Sequence, residues 1–109
     1  MKNPTRIRDD VIFEGSVDAQ NIKQTPDTFR AGDSTPSVKG ITIARCSDTV
    51  VTITNFKGGT NCQPLYLKGH SNTTIQNNSF IQTNTGADKV LVTGKIYLFV
   101  NIDDVWHEM

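Results

Sequence analysis

The chain has 109 residues, which is one domain with a modest core, because a chain of this size buries only roughly 60 to 70% of its unfolded surface. Eleven basic residues balance eleven acidic ones, so no excess charge favours nucleic acid or an acidic membrane surface as a partner. The apolar fraction is 36%, below the roughly 45 to 50% of ordinary domains. We therefore expect partner chains to supply part of the buried surface.

The sequence predicts neither membrane insertion nor a disulfide scaffold. No stretch approaches the roughly 18 apolar residues that cross a bilayer, and Met1 and Lys2 lead into charged sequence without an apolar signal region. Two cysteines, Cys46 and Cys62, are too few for a disulfide framework in a chain this long. We expect free thiols in a reducing cytoplasm, and a single bridge between the two stays open.

Residues 1–34 differ in character from the rest and are named here the N-terminal arm. They are charged, residues 11–17 form their one plausible strand, and residues 31–36 are dense in turn formers. A single strand with a loose tail is not stable alone. The arm is therefore expected to pack on the rest of the domain, on copies of itself or on another protein, through the apolar side chains of Val11, Ile12, Phe13 and Val17.

Residues 35–109 carry short β-branched strands separated by turns and are named here the head. Residues 41–44 and 50–54 predict two strands that form a hairpin or lie side by side. Phe56 is expected to anchor the glycine-containing loop that follows. Pro64 is expected to begin the next strand, whose Leu65 and Leu67 lie on one face.

The second half of the head continues in the same way. Strands are predicted near residues 73–76, 79–83 and 90–93, and Gly94-Lys95 suits a two-residue hairpin turn into residues 96–100, the expected central strand. Turns spaced every 8 to 12 residues or so are typical of all-β domains. The predicted fold is all-β, with short antiparallel strands in a small sandwich, jelly roll or β-prism-like head after an extended arm.

The order of landmarks along the head resembles the C-terminal β-domain of bacteriophage tail-spike, preneck-appendage and tail-fibre proteins. The arm segment 8–17 is also similar to the strands that open many phage fibre segments. The matching pieces in the head are Thr35-Pro36-Ser37-Val38, Phe56-Lys57-Gly58-Gly59 with Gln63, Asn72-Thr73-Thr74-Ile75 and Trp106-His107-Glu108.

The resemblance implies a virion protein made in the bacterial cytoplasm, commonly a homotrimer that assembles a fibre tip or contacts the host surface. An apolar-poor β-domain with an exposed arm also gains stability when copies bury strand edges around a symmetry axis. Tail spikes of this type carry a long parallel β-helix with polysaccharide-degrading activity, and the sequence predicts no β-helix here. We therefore expect a small fibre or decoration protein, attached through its arm to another virion protein, and not an enzyme.

A carbohydrate-binding module is the alternative, because sugar recognition needs an exposed aromatic platform beside polar side chains. Each candidate also has a structural interpretation: a lone Trp near the end of a β-domain often closes the core, and Asn residues between strands often make turns. The candidates for contact with a glycan or receptor are Trp106, Tyr66 and Tyr97, beside Asn72, Asn77, Asn78 and Gln82.

No catalytic, cofactor or metal site is predicted. The pairs Asp9-Asp10 and Asp103-Asp104 are interpreted as solvated turns, and His70 and His107 show no triad or zinc spacing. A phosphate-binding loop is also missing, because Gly58-Gly59 lacks the lysine and helix that such a loop needs. The exception left open is a three-fold axis at which His107 from three chains would meet an ion.

Overall fold

The computed structural model describes residues 26–109, and within this range it contains strands and no helix. The all-β class is thereby confirmed. The strands are β1 (Asp27–Thr28), β2 (Ile43–Arg45), β3 (Val51–Ile53), β4 (Pro64–Lys68), β5 (Thr73–Ile75), β6 (Ile81–Gln82), β7 (Lys89–Val90), β8 (Ile96–Ile102) and β9 (Val105–Glu108).

The strands form two mixed sheets. The large sheet has the order β1-β2-β4-β8-β9-β6, and the small sheet has the order β3-β5-β7. The prediction of antiparallel strands was wrong for half of the architecture: β1 with β2, β2 with β4, β3 with β5 and β6 with β9 are parallel pairs. Parallel neighbours need long crossover connections, and the crossovers from β2 to β4, from β3 to β5 and from β6 to β9 each include a strand of the other sheet.

Between β2 and β5 the chain winds as two stacked coils. Ile43 pairs with Tyr66 in the large sheet and Val51 pairs with Thr73 in the small sheet, so each strand lies beside the strand one coil later. A parallel bridge from Ser37 to Lys57 adds a third side. Two stacked coils of this kind resemble a short stretch of parallel β-helix.

The same coil explains why a second prediction was wrong. The strands around residues 41–44 and 50–54 were expected to pair, but β2 lies in the large sheet and β3 in the small one. The predicted hairpin at Gly94-Lys95 is also not formed, since β7 pairs with β5 and β8 pairs with β4 and β9. Gly94 and Lys95 instead hydrogen-bond through their backbones to Gly69.

Other local predictions were right. Pro64 begins β4 and places Leu65 and Leu67 in the core, where both are fully buried. The segment from Ile96 forms β8, which lies in the middle of the six-stranded sheet. A two-residue turn, Asp103-Asp104, joins β8 to β9. Both residues have positive φ, which a two-residue turn needs to match the twist of its flanking strands.

One core is shared by both sheets. Phe56 anchors its loop at the centre of this core, with its ring centroid 5.3 Å from that of Phe99 and 5.6 Å from that of Trp106. Edge-on aromatic contacts of this kind add about 0.5 to 1.5 kcal/mol to the burial itself. The other apolar side chains of the core are Phe29, Val38, Ala44, Ile53, Leu65, Leu67, Ile75, Ile81, Leu91 and Tyr97.

The predicted border between arm and head falls inside this structure. β1 pairs with β2, and Phe29 is buried in the core, so residues 27–34 are built into the fold. The first 25 residues of the predicted arm, with Val11, Ile12, Phe13 and Val17, lie outside the described residues.

Candidate functional site

The outer side of the large sheet carries a continuous group of apolar side chains. β8 reads Ile-Tyr-Leu-Phe-Val-Asn-Ile, and its Tyr97, Phe99 and Asn101 point into the core. Because side chains alternate along a strand, the remaining apolar side chains of β8 point outward. Ile96 and Ile102 are exposed, and Leu98 and Val100 between them are half-buried.

Neighbouring strands extend this surface sideways, since residues that pair across a sheet share a face. Tyr66 pairs with Ile43 on one side and with Leu98 on the other. Tyr66 and Ile43 are exposed by 42% and 40%, so this row of side chains contacts solvent. We define the outer apolar face as Ile43, Pro64, Tyr66, Ile96, Leu98, Val100, Ile102 and Val105.

The size of the outer apolar face is that of the largest apolar patch on an ordinary monomer. Seven residues of β8 span about 23 Å and three strand spacings about 14 Å, so the face measures roughly 320 Å². The largest apolar patch on a typical monomer is roughly 300 to 600 Å² and is often functional. The face is therefore a candidate interaction site.

The charges on this face are of one sign. Arg45 and Lys68 pair across β2 and β4 and are both exposed, so they lie on the outer side beside Ile96, which pairs with Lys68. His107 lies opposite Val100 on the same side. In the part of the chain that the structure describes, no carboxylate occupies an outward position on a strand of this sheet.

Trp106, the leading candidate for sugar stacking, is a core residue. Its side chain is only 1% exposed, and its Nε1 donates a hydrogen bond to the Phe56 carbonyl oxygen at 3.0 Å. Tyr97 is also buried, and its hydroxyl accepts a hydrogen bond from the Val92 backbone N–H at 2.9 Å. Neither ring offers a platform to solvent.

The candidate asparagines hold turns together. Asn72 donates to the Asp48 carbonyl at 2.7 Å, and Asn77 Oδ1 accepts the Thr83 N–H at 3.0 Å. Asn78 Oδ1 accepts backbone N–H groups of Phe80 and Ile81, while its Nδ2 donates to the Thr54 carbonyl. These bonds give each of the three amide side chains a role in holding a turn.

Of the predicted contact residues, Tyr66, Asn72 and Gln82 are exposed. Tyr66 and Gln82 lie on the outer side of the large sheet, because Gln82 pairs with His107. The apolar residues around Tyr66 were not predicted from the sequence. The signal was available in residues 96–100: an uninterrupted apolar strand predicts apolar side chains on both faces.

The cysteines and histidines are scattered. Cys46 and Cys62 are free thiols, and burial raises the pKa of Cys46 above its ordinary value, which disfavours the reactive thiolate. His70 Nδ1 accepts the Asn72 backbone N–H at 3.0 Å. Within residues 26–109, no three His, Cys, Asp or Glu side chains cluster as metal ligands would.

No known protein family, no curated protein and no solved structure matches the chain. Over residues 26–109, no helix has the length and apolar character that crossing a membrane takes. The outer apolar face is therefore the candidate site on which a functional proposal rests.

Proposed function

We propose that this chain is a phage virion structural protein, a small fibre or decoration protein whose heads assemble into a homotrimer through the outer apolar face. The observation that carries the proposal is that face, with Tyr66, Leu98 and Val100 near its middle. Apolar area removed from water contributes about 25 cal/mol per Å². Assembly of three copies would remove the outer apolar face of each copy from water.

The coil between β2 and β5 supports the same proposal. Stacked parallel strands resemble the β-helical shafts of the tail spikes that the sequence resembles. The large sheet ends on the two-residue strands β1 and β6, and very short edge strands discourage uncontrolled edge-to-edge pairing. The face of the sheet, and not its edge, then makes the contact between copies.

The N-terminal arm is proposed to attach the trimer to another virion protein, and the remaining surface of the head to meet the host. The outer side of the small sheet is mixed, because paired Thr52 and Thr74 lie there beside the exposed Val90. The carbohydrate-binding alternative has less support, since Trp106 is buried and Tyr66 is the exposed aromatic residue of the predicted set.

Size-exclusion chromatography with light scattering tests the assembly. The full-length protein is expected to have three times the 12.0 kDa chain mass. Leu98→Asp, which places a charge in the middle of the face, is expected to give folded monomers. Thr52→Asp, at an exposed position of the small sheet, is the matched control and should stay trimeric. A native protein that runs as a monomer at micromolar concentration would contradict the proposal.

A further inference from the structure

A stretch of the N-terminal arm that lies between Arg8 and Lys23 is opposite in charge to the cations beside the outer apolar face. Residues 9–18, named here the acidic segment, contain Asp9, Asp10, Glu14 and Asp18 and no Lys or Arg. The outward charges on the strands of the large sheet are the cations Arg45 and Lys68. Opposite charges across a contact steer association and select the partner.

The acidic segment also has the apolar pattern that the face needs. In an extended conformation, side chains alternate between two sides, so Val11, Phe13 and Val17 would share one side with Asp9 and Gly15. The apolar residues of that side can pack on Tyr66 and Leu98 while Asp9 meets the cations, and the other three carboxylates, on the opposite side, stay in water.

Area supports a contribution from the arm. A stable interface buries about 800 Å² on each partner, more than the roughly 320 Å² that the strand spacings give for the face. If two such faces paired directly, Arg45 and Lys68 of one copy would meet a face whose strands carry no outward carboxylate to pair with them. The segment supplies both missing parts, because Val11, Phe13 and Val17 add apolar area and Asp9, on the same side, adds a carboxylate.

We infer that the acidic segment of one copy covers the outer apolar face of a neighbouring copy, an inference that rests on the proposed assembly. Residues 19–26 link the segment to β1 and reach about 27 Å when extended, enough to cross the roughly 10 Å between packed sheets. Arm-to-face contact joins two different surfaces, and three such contacts related by rotation close a ring. Residues 1–8 remain for attachment to another virion protein.

Charge reversal in the full-length protein tests whether the segment meets the face. Arg45→Glu with Lys68→Glu, and separately Asp9→Lys with Asp10→Lys, are each expected to weaken assembly at least tenfold in light scattering. The quadruple variant is expected to recover most of that loss. Lys39→Glu with Lys57→Glu reverses two exposed lysines outside the large sheet and should change assembly less than twofold. A quadruple variant that assembles no better than the two doubles overturns the inference.

Mixing two defective proteins tests whether the segment comes from a neighbour. One carries Val11→Ser and Phe13→Ser, and the other Leu98→Asp and Val100→Ser; each alone is expected to be a folded monomer by circular dichroism and light scattering. Mixed, the intact segment of the second should bind the intact face of the first as a 1:1 complex. No complex on mixing overturns the inference, as the segment would then cover its own head. A native trimer in that result would leave the proposed function standing, whereas a native monomer would overturn both.

Discussion

At the scale of single residues, Gly59 controls how the core closes over Trp106. A Cβ atom added to Gly59 would lie 2.4 Å from Cζ2 of Trp106 and 3.2 Å from Nδ2 of Asn101. Side-chain atoms do not approach one another this closely, so the bare backbone of Gly59 is what lets the indole ring lie flat beneath the loop. The loop in turn holds Phe56, whose carbonyl accepts the indole N–H.

We expect Gly59→Ala to destabilise the head by about 1 to 3 kcal/mol, the usual cost of overfilling a packed core. Urea unfolding measures the loss, and fluorescence reports its origin because Trp106 is the single tryptophan. Gly94→Ala is the comparison: Gly94 has a φ of 86° with open space around its Cβ position. That variant should lose stability through backbone strain alone and keep the native emission spectrum. Unchanged emission in Gly59→Ala would show that the ring is not held by this contact.

The role of a residue could be predicted from the sequence where the chemistry of its own side chain decides that role. The asparagines make turns, as their short amides predict, and Phe56 anchors its loop. Whether Trp106 faces the core or the solvent could not be read, because a strand places alternate residues on opposite sides and a one-residue shift exchanges the two. The register of β9 against β8, which decides it, is a contact between whole strands.

At the scale of elements, an ion pair joins the C-terminal strand β9 to β7. Lys89 Nζ lies 2.8 Å from Glu108 Oε2, and the two side chains are only 19% and 3% exposed. Lys89 also donates to Asn84 Oδ1 at 2.6 Å, and Glu108 Oε1 accepts the Asn84 backbone N–H. One charged pair therefore joins β7, β9 and the turn between β6 and β7.

Lys89→Met keeps the apolar stem of the side chain and removes its charge, which leaves the shielded Glu108 carboxylate without its cation. We expect a loss of about 1.5 to 3 kcal/mol of unfolding free energy, the value of hydrogen bonds to charged groups. Chemical denaturation measures it, with Lys39→Met at an exposed site as the control expected to change stability by less than 0.5 kcal/mol or so. Equal stabilities of the two variants would show that the pair contributes nothing.

The strands themselves were largely predictable, but their partners were not. Alternation marks β4, and β-branched and aromatic residues mark β8, whereas the parallel partners Ile43 and Tyr66 are distant in the sequence. The missed signal was an internal repeat: Val51-Thr52-Ile53 and Thr73-Thr74-Ile75 have similar sequences and stack in register. Recognising that repeat would have predicted the coil.

At the scale of the whole molecule, the proposed assembly is expected to add to the stability that the small core supplies. The described residues bury one cluster of apolar side chains, and the proposed assembly would remove the outer apolar face from water as well. Binding between folded copies stabilises the folded state by mass action. Folding and assembly are therefore expected to be coupled.

The coupling predicts that resistance to urea rises with protein concentration. For a trimer that unfolds to separate chains, a tenfold rise in concentration adds about 2.7 kcal/mol per trimer, because two chain-association steps each gain about 1.4 kcal/mol. The urea midpoint of the native protein should therefore move upward between 1 and 100 μM or so, as followed by circular dichroism. Leu98→Asp should lower the midpoint and remove its concentration dependence, since the monomer is then the unit that unfolds. Thr52→Asp should retain the dependence, and a concentration-independent midpoint in the native protein would contradict coupled folding and assembly.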